Sequence, residues 1–244
     1  MSTTINPRSR RLKTAFFAAV MVAVVPVSGQ LDLKALAAAV GGKKLADMKG
    51  FATKQTLVAE IQGMSLNITM ETTILLPDRL KLIQKLPFGE STQVLDGEKG
   101  WVQSPMGVQD IEGDDAAKMR DQIQSDMLML LRDHAGRTCQ ALPTEELDGK
   151  TCERVYITDE SGDYTLMFLD AATGLPVMEQ SKGEAPMTGE PVTQKVKYDT
   201  YKDFGGVQRP ATFTILFDDE VFATGQTTSF TLNPTVAAGF FAKP

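Results

Sequence analysis

The segment Met64-Ser65-Leu66-Asn67-Ile68-Thr69-Met70-Glu71-Thr72-Thr73-Ile74-Leu75-Leu76 decides the fold class. Met64, Leu66, Ile68, Met70, Ile74 and Leu76 fall on even positions, whereas Ser65, Asn67, Thr69, Glu71 and Thr73 fall on odd ones. Strand side chains alternate between faces, so this period of two predicts a long antiparallel strand with one oily and one wet face. Asn67-Ile68-Thr69 also spells a glycosylation acceptor, but inside a strand it reads as chance.

The same period extends to both sides. Upstream, Phe51, Leu57, Ala59 and Ile61 share one parity and Lys54 and Glu60 take the other. Downstream of Pro77-Asp78, Leu80, Leu82 and Leu86 oppose Arg79, Lys81 and Lys85, and the chain runs through Val94 and Leu95 to an Asp96-Gly97 turn and Trp101. Four or five strands are therefore predicted as a meander. Before them, Leu33, Leu36, Ala37 and Val40 give a short helical face that starts at Asp32 and breaks at Gly41-Gly42 ahead of Leu45 and Met48. After them, Gly113-Asp114-Asp115 opens a helix with an acidic first turn. Ala116, Met119, Ile123, Met127, Leu130, Leu131 and His134 then recur at helical spacing as far as Gly136. His134 reads as a capping or structural residue at the helix end.

Seven further strands are predicted: 139–142, 152–157, 164–170, 177–180, 192–204, 211–217 and 221–232. Phe213, Ile215 and Phe217 alternate with Thr212 and Thr214, and Val192, Val196 and Tyr198 with Thr193, Lys195, Lys197 and Asp199. The expectation is a mainly β (α+β) protein: one curved antiparallel sheet of about eleven strands, an N-terminal helix and a covering helix. Two helical segments are too little to cover one face of such a sheet, so the unmatched apolar area predicts a cavity for something greasy.

Composition narrows the function. Lys and Arg number 25 against 31 Asp and Glu, a formal net charge of −6, so no basic footprint exists for nucleic acid. One His leaves no multi-histidine metal cage. The acid pairs Asp114-Asp115, Glu145-Glu146 and Asp218-Asp219 sit at turns and a helix start, where acids are ordinary, so neither catalysis nor a cofactor is expected. Arg8, Arg10, Arg11 and Lys13 precede an apolar run from Thr14 to Val25, which is too short to span a membrane. Residues 1–29 are expected to be a signal peptide cut before Gln30, and residues 30–244 a single exported domain. No Cys follows the run, so a lipid anchor on a new N-terminal cysteine is not expected. Cys139 and Cys152 are expected to pair across a hairpin once exported, closing a loop worth about 3 kcal/mol.

Leu76-Pro77-Asp78-Arg79, the turn Asp96-Gly97-Glu98-Lys99-Gly100-Trp101, the turn Leu169-Asp170-Ala171-Ala172-Thr173-Gly174-Leu175-Pro176, and the ending Leu232-Asn233-Pro234 with Phe240-Phe241 and Pro244 follow one another along the chain. Together these phrases resemble the LolA-like superfamily of periplasmic carriers. The resemblance covers residues 32–244. It implies a half-barrel closed by helices whose inner face holds the acyl chains of a lipid or lipoprotein, carried across the periplasm between membrane donor and acceptor proteins by a monomer without enzymatic activity. A relative that only binds or senses a protein partner at the envelope is the alternative. The lining residues expected on this reading are Met64, Leu66, Ile68, Met70, Ile74, Leu80, Leu82, Trp101, Phe213 and Ile215. One departure stands out: lipoprotein carriers place an Arg before the strand-ending Pro to tie helices over the cavity, whereas here Leu76 precedes Pro77 and Arg79 comes three positions later. A looser helical lid is the expectation. The family's peptidase-associated relatives lend no activity, because no His-x-x-Glu-His motif occurs.

Overall fold

A computed structural model describes residues 33–244 apart from 62, 134–136, 159–161, 163, 186 and 187. The expected signal peptide, the Asp32 cap and His134 lie outside the described residues. Helices α1 (Leu33–Val40) and α2 (Lys43–Ala46) come first. Gly42, at φ 52, makes the left-handed break between them that a side chain would resist. Six strands follow as a meander: β1 (Gly50–Ile61), β2 (Met64–Leu75), β3 (Arg79–Leu86), β4 (Gly89–Asp96), β5 (Lys99–Ser104) and β6 (Gly107–Ile111). Helices α3 (Gly113–Gln124) and α4 (Met127–Arg132) intervene. Seven more strands complete the chain: β7 (Thr138–Leu147), β8 (Lys150–Thr158), β9 (Tyr164–Asp170), β10 (Pro176–Glu184), β11 (Pro191–Asp203), β12 (Gln208–Phe217) and β13 (Glu220–Leu232).

All thirteen strands form one antiparallel sheet in the order β6-β5-β4-β3-β2-β1-β13-β12-β11-β10-β9-β8-β7. The expected mainly β curved sheet is observed, with thirteen strands in place of about eleven. The predicted covering helix is two helices. Ser125 ends α3, and Asp126 caps α4 by accepting the Leu128 N–H at 2.8 Å, the preference of a short acid for a helix start overriding a continuous helical period.

The alternation read from residues 64–76 is realised in the register. Phe51, Ile74, Leu80 and Leu95 face one another across β1 to β4. They join Leu36, Val40, Leu45, Met119, Ile123 and the buried residues 127–131 in the main core between helices and sheet. This helix-bearing face is the inner one. Odd positions of β2 point outward, where Glu71 meets Lys54 at 3.0 Å and Lys85 at 3.5 Å, and the Lys54 hydrogen bond holds its carboxyl below the usual range.

The outer face is not uniformly wet. Residues beyond Asn233 fold back over it, burying Val94 and Trp101 against Phe241, with Leu75, Val236 and Phe240 around them. The Trp101 indole donates to the Phe241 carbonyl at 3.1 Å, and Lys81 donates to the Phe240 carbonyl at 3.0 Å. Arg79 takes part in this seam, 5.3 Å from the Phe241 ring and 3.9 Å from Asp96. Truncating Phe241→Ala should cost about 3 kcal/mol and, because Trp101 is the chain's single tryptophan, red-shift the whole native fluorescence. Native emission unchanged from wild type would show that the tail does not seal Trp101.

Candidate functional site

The helices cover only part of the inner face. Beyond their reach a second apolar cluster runs across β2, β1, β13, β12 and β11: buried Leu57, Ala59, Phe213 and Ala223, flanked by partly exposed Ile61, Ile68, Met70, Val196, Ile215 and Phe222. The register explains the grouping, since Leu57 faces Ile68 and Gly225, Gly225 faces Phe213, and Phe213 faces Tyr198. A Cβ on Gly225 would lie 2.4 Å from the Phe213 ring, so glycine lets that ring lie flat on the sheet. The strip runs toward the end of the sheet that bears the β1–β2, β3–β4, β5–β6 and β12–β13 turns.

At its inner end the strip meets a 170 Å³ hollow beneath the start of α4. Met127, Val196, Phe213 and Ile215 supply its apolar walls, and Gln55, Asp126, Glu179 and Arg209 its polar ones. Arg209 is 7% exposed, with its guanidinium carbon 5.7 Å from the Phe51 ring centroid and 5.5 Å from that of Phe230. Its Nη1 lies 3.7 Å from Asp126 Oδ1, so the capping acid of α4 is also the partner of the buried arginine. Glu179 faces Val196 across β10 and β11. Burial pushes its carboxyl up to about 7, Asp126 adding to the rise, against a hydrogen-bonding pull from Tyr198 and the attraction of Arg209. Tyr198 beside it is raised by its own burial and then by the Glu179 charge. The Tyr201 hydroxyl donates to the Pro176 carbonyl at 2.8 Å, closing this side. A larger hollow of 510 Å³ lies elsewhere, among Asp78, Gly97, Glu98, Gly113 and Arg120. Its charged lining gives an acyl chain nothing to pack on.

The sequence-predicted lining residues divide by place. Ile68, Met70, Phe213 and Ile215 meet in the open strip. Leu66 shares their face next to Ala59 and is half-buried, and Met64, 58% exposed, stands at the turn end. Ile74 and Leu80 belong to the helix-covered core, and Leu82 is buried on the same face. Trp101 faces outward, because it pairs with Val94 and not with the inward Leu95. Leu76 packs against the main core, and Arg79 turns to the outer seam away from the helices. The helical cover is tied by guanidiniums that the sequence did not single out: Arg120 donates to the Gly97 carbonyl at 3.2 Å, and Arg209 pairs with Asp126.

The expected disulfide is corrected. Cys139 pairs with Ile157 and Cys152 with Glu145, so the two lie at opposite ends of the hairpin and, by parity, on opposite faces. Five residues of strand are about 16 Å, far beyond the roughly 6 Å between α-carbons that a disulfide spans. Both thiols are free, Cys139 exposed and Cys152 buried among Leu166, Phe168 and Met178. Burial raises both, and Asp170 raises Cys152 further. Among the described residues no group of three His, Cys, Asp or Glu could hold a metal ion, and no helix is long and apolar enough to cross a membrane.

No protein-family model and no curated protein sequence matches the chain. Solved structures do. The LolA superfamily protein from Nitrosomonas europaea matches with a TM-score of 0.58 at 12% identity, over 86% of this chain and 96% of that one. A DUF1329 family protein from Desulfovibrio piger gives 0.56 at 12% identity, over 86% and 95%. A domain assigned to outer membrane lipoprotein sorting from Vibrio parahaemolyticus gives 0.50 at 11% identity, over 79% and 88%. The fold is LolA-like.

Two measurements check this geometry. Thiol labelling of native protein should modify Cys139 alone and reach Cys152 only in denaturant, whether or not reductant is added; a reductant-dependent gain of two thiols would restore the disulfide. Glu179 has a folded pKa above the ordinary 4.5, so its contribution is fully present below about 4.5 and is lost as pH rises toward about 7. Unfolding curves should therefore show Glu179→Gln gaining up to about 3 kcal/mol on wild type between pH 4.5 and 8. A difference that stays flat with pH would show that the carboxyl is not raised.

Proposed function

We propose that the protein is an exported binding protein that holds acyl chains of a lipid or lipoprotein on its open inner strip and carries them across the periplasm. The observation that carries this reading is the second apolar cluster, a sheet face built like a core in which, among the described residues, only strand side chains take part and no helix does. Uncovered apolar surface of this kind is disfavoured unless something occupies it. Each methylene buried there contributes about 0.8 kcal/mol, enough for a chain to be held against water without chemistry. Transfer is then passive, driven by affinity differences between donor, carrier and acceptor.

Two further features support the reading. The leader of Arg8, Arg10, Arg11 and Lys13 followed by an apolar run fits export, with residues 30–244 as the working domain. The LolA-like fold is one in which a lipoprotein-sorting assignment has been made for a relative. The reading needs no cofactor, no metal and no reacting group: Glu179 and Arg209 would select and hold. A second reading, a module that docks an envelope protein, draws on Phe88 (73% exposed) and Met106 (91% exposed), which top the β3–β4 and β5–β6 turns near the open end of the strip.

Filling the strip separates the two. A fluorescent dodecanoyl probe should bind wild-type protein, and Ile68→Trp should weaken it about tenfold or more at an unchanged melting temperature, since Ile68 is only partly buried. A wild-type protein that ignores the probe would favour the docking module. Unfolding of Ile68→Trp with unaltered probe binding by Ile215→Trp would make the strip packed core.

A further inference from the structure

Two side chains that line the hollow at the inner end of the strip each keep a polar atom that the fold leaves unanswered. Glu179 Oε2 and Arg209 Nε are both buried, and neither has a hydrogen-bond partner. Each belongs to a side chain that lines the same 170 Å³ space. One is an acceptor and the other a donor, since a guanidinium nitrogen can only donate. Leaving either unsatisfied costs about 1 to 3 kcal/mol, so a ligand that answered both would recover that cost on binding.

The charges around the hollow restrict what such a ligand can be. Arg209 already faces Asp126 through its Nη1, so its positive charge is matched, and Asp126 is further occupied by the Leu128 N–H. Glu179 keeps a hydrogen bond from Tyr198 and the pull of Arg209 but has one oxygen over, and Asp126 repels further negative charge there. An anionic head, carboxylate or phosphate, would add to that repulsion. An ester supplies an acceptor for Arg209 but nothing that Glu179 can accept. An ammonium satisfies Glu179 and leaves the Arg209 Nε–H facing a cation. A secondary amide is neutral and carries one N–H and one C=O on a short rigid unit, so it meets both needs.

The size agrees. A volume of 170 Å³ is below the range of pockets that enclose a whole drug-sized ligand, so it suits a head and not a whole lipid. The chain would leave past Phe213, Val196 and Ile215 onto the apolar strip. Strand β1 from Gln55, at the hollow, to Ile61, near the turn, offers about 20 Å of this path.

We propose that the Glu179–Arg209 hollow is a head-group site for an amide-linked acyl chain, the amide N–H donating to Glu179 Oε2 and its carbonyl accepting from Arg209 Nε. The proposal rests on the acyl-carrier reading and adds to it a selectivity that the strip alone cannot supply. The strip recognises length and oiliness; the hollow recognises the linkage.

The test is titration calorimetry of the purified protein at pH 8, where Glu179 is mostly ionised, with four probes of equal chain: N-methyldecanamide, methyl decanoate, decanoate and decylamine. The amide should bind about tenfold or more tightly than the ester, and both should be weakened by Ile68→Trp. In Glu179→Ala the amide-to-ester ratio should fall to about one, and in Arg209→Met likewise. Equal binding of amide and ester by wild-type protein overturns the head-group site while leaving the carrier reading intact. A preference for decylamine or decanoate overturns it in favour of a charged head. Failure of all four probes overturns the site and the carrier reading together. The wild-type series decides the matter even if either variant fails to fold.

Discussion

Pairing of β1 with β13 joins a six-strand meander to a seven-strand one, and every feature of the inner face depends on it. Phe51 opposite Leu232 and Ala59 opposite Ala223 fix the register, with a bulge between Lys54 and Gln55 absorbing an irregularity near the middle. Stacking of Phe51 on Phe230, ring centroids 5.7 Å apart, adds a side-chain clamp to the backbone ladder. Slipping this ladder by one residue would turn Leu57 and Ala59 to the outer face, away from Ala223 and Phe213. The two apolar clusters of the inner face are thus products of one register.

Given that face, the helices determine where it stays open. Strands β1 and β13 have 12 and 13 residues, spans of about 40 Å, while α3 has 12 residues in a helix and reaches only about 18 Å. Helices of 8, 4, 12 and 6 residues cannot blanket a sheet of such length. They are anchored at one end, where Leu36, Val40 and the buried run 127–131 meet Phe51, Ile74 and Leu95. The other end keeps its apolar residues, and no described helix joins their cluster. A difference in length between the two kinds of element is therefore what creates the strip.

Alternation made the sheet legible in the sequence, and its absence explains the strands that were missed. β2, β3, β11 and β12 announce themselves because apolar and polar residues change places over most of their length. β6 does not, since Val108-Gln109-Asp110 is exposed throughout and shows no oily face. β10 was cut short at Gln180 for the same reason, Ser181-Lys182-Gly183 having no apolar member to keep the period. Facing was harder than existence. Trp101 looks inward until the tight Asp96-Gly97 turn sets its pairing with Val94, and the tail that covers it lies 140 residues further on. The cysteines suggested a staple by number and spacing alone, but spacing carries no parity, and parity puts them on opposite faces. Glu179 and Arg209 were invisible for a related reason: they stand on strands β10 and β12, and only the β11 that runs between them brings the two together.

That polar pair sits at the junction between the covered core and the open strip, and its position is more informative than its energy. Burying Arg209 beside a partly exposed Asp126 carries a desolvation cost, set against their attraction at 3.7 Å and the two flanking phenyl rings. Apolar residues of equal volume would hold α4 against β12 as firmly or better. What they would not do is end the core. An uninterrupted oily surface from Phe51 to Phe213 would let a greasy ligand intrude under the helices and compete with Met127 and Leu131 for their own packing sites. Charges on Asp126 and Arg209, fixed by the α4 cap on one side and by Phe51 and Phe230 on the other, make that intrusion expensive. The boundary they draw allows the same face of one sheet to serve as protein interior at one end and as a binding surface at the other.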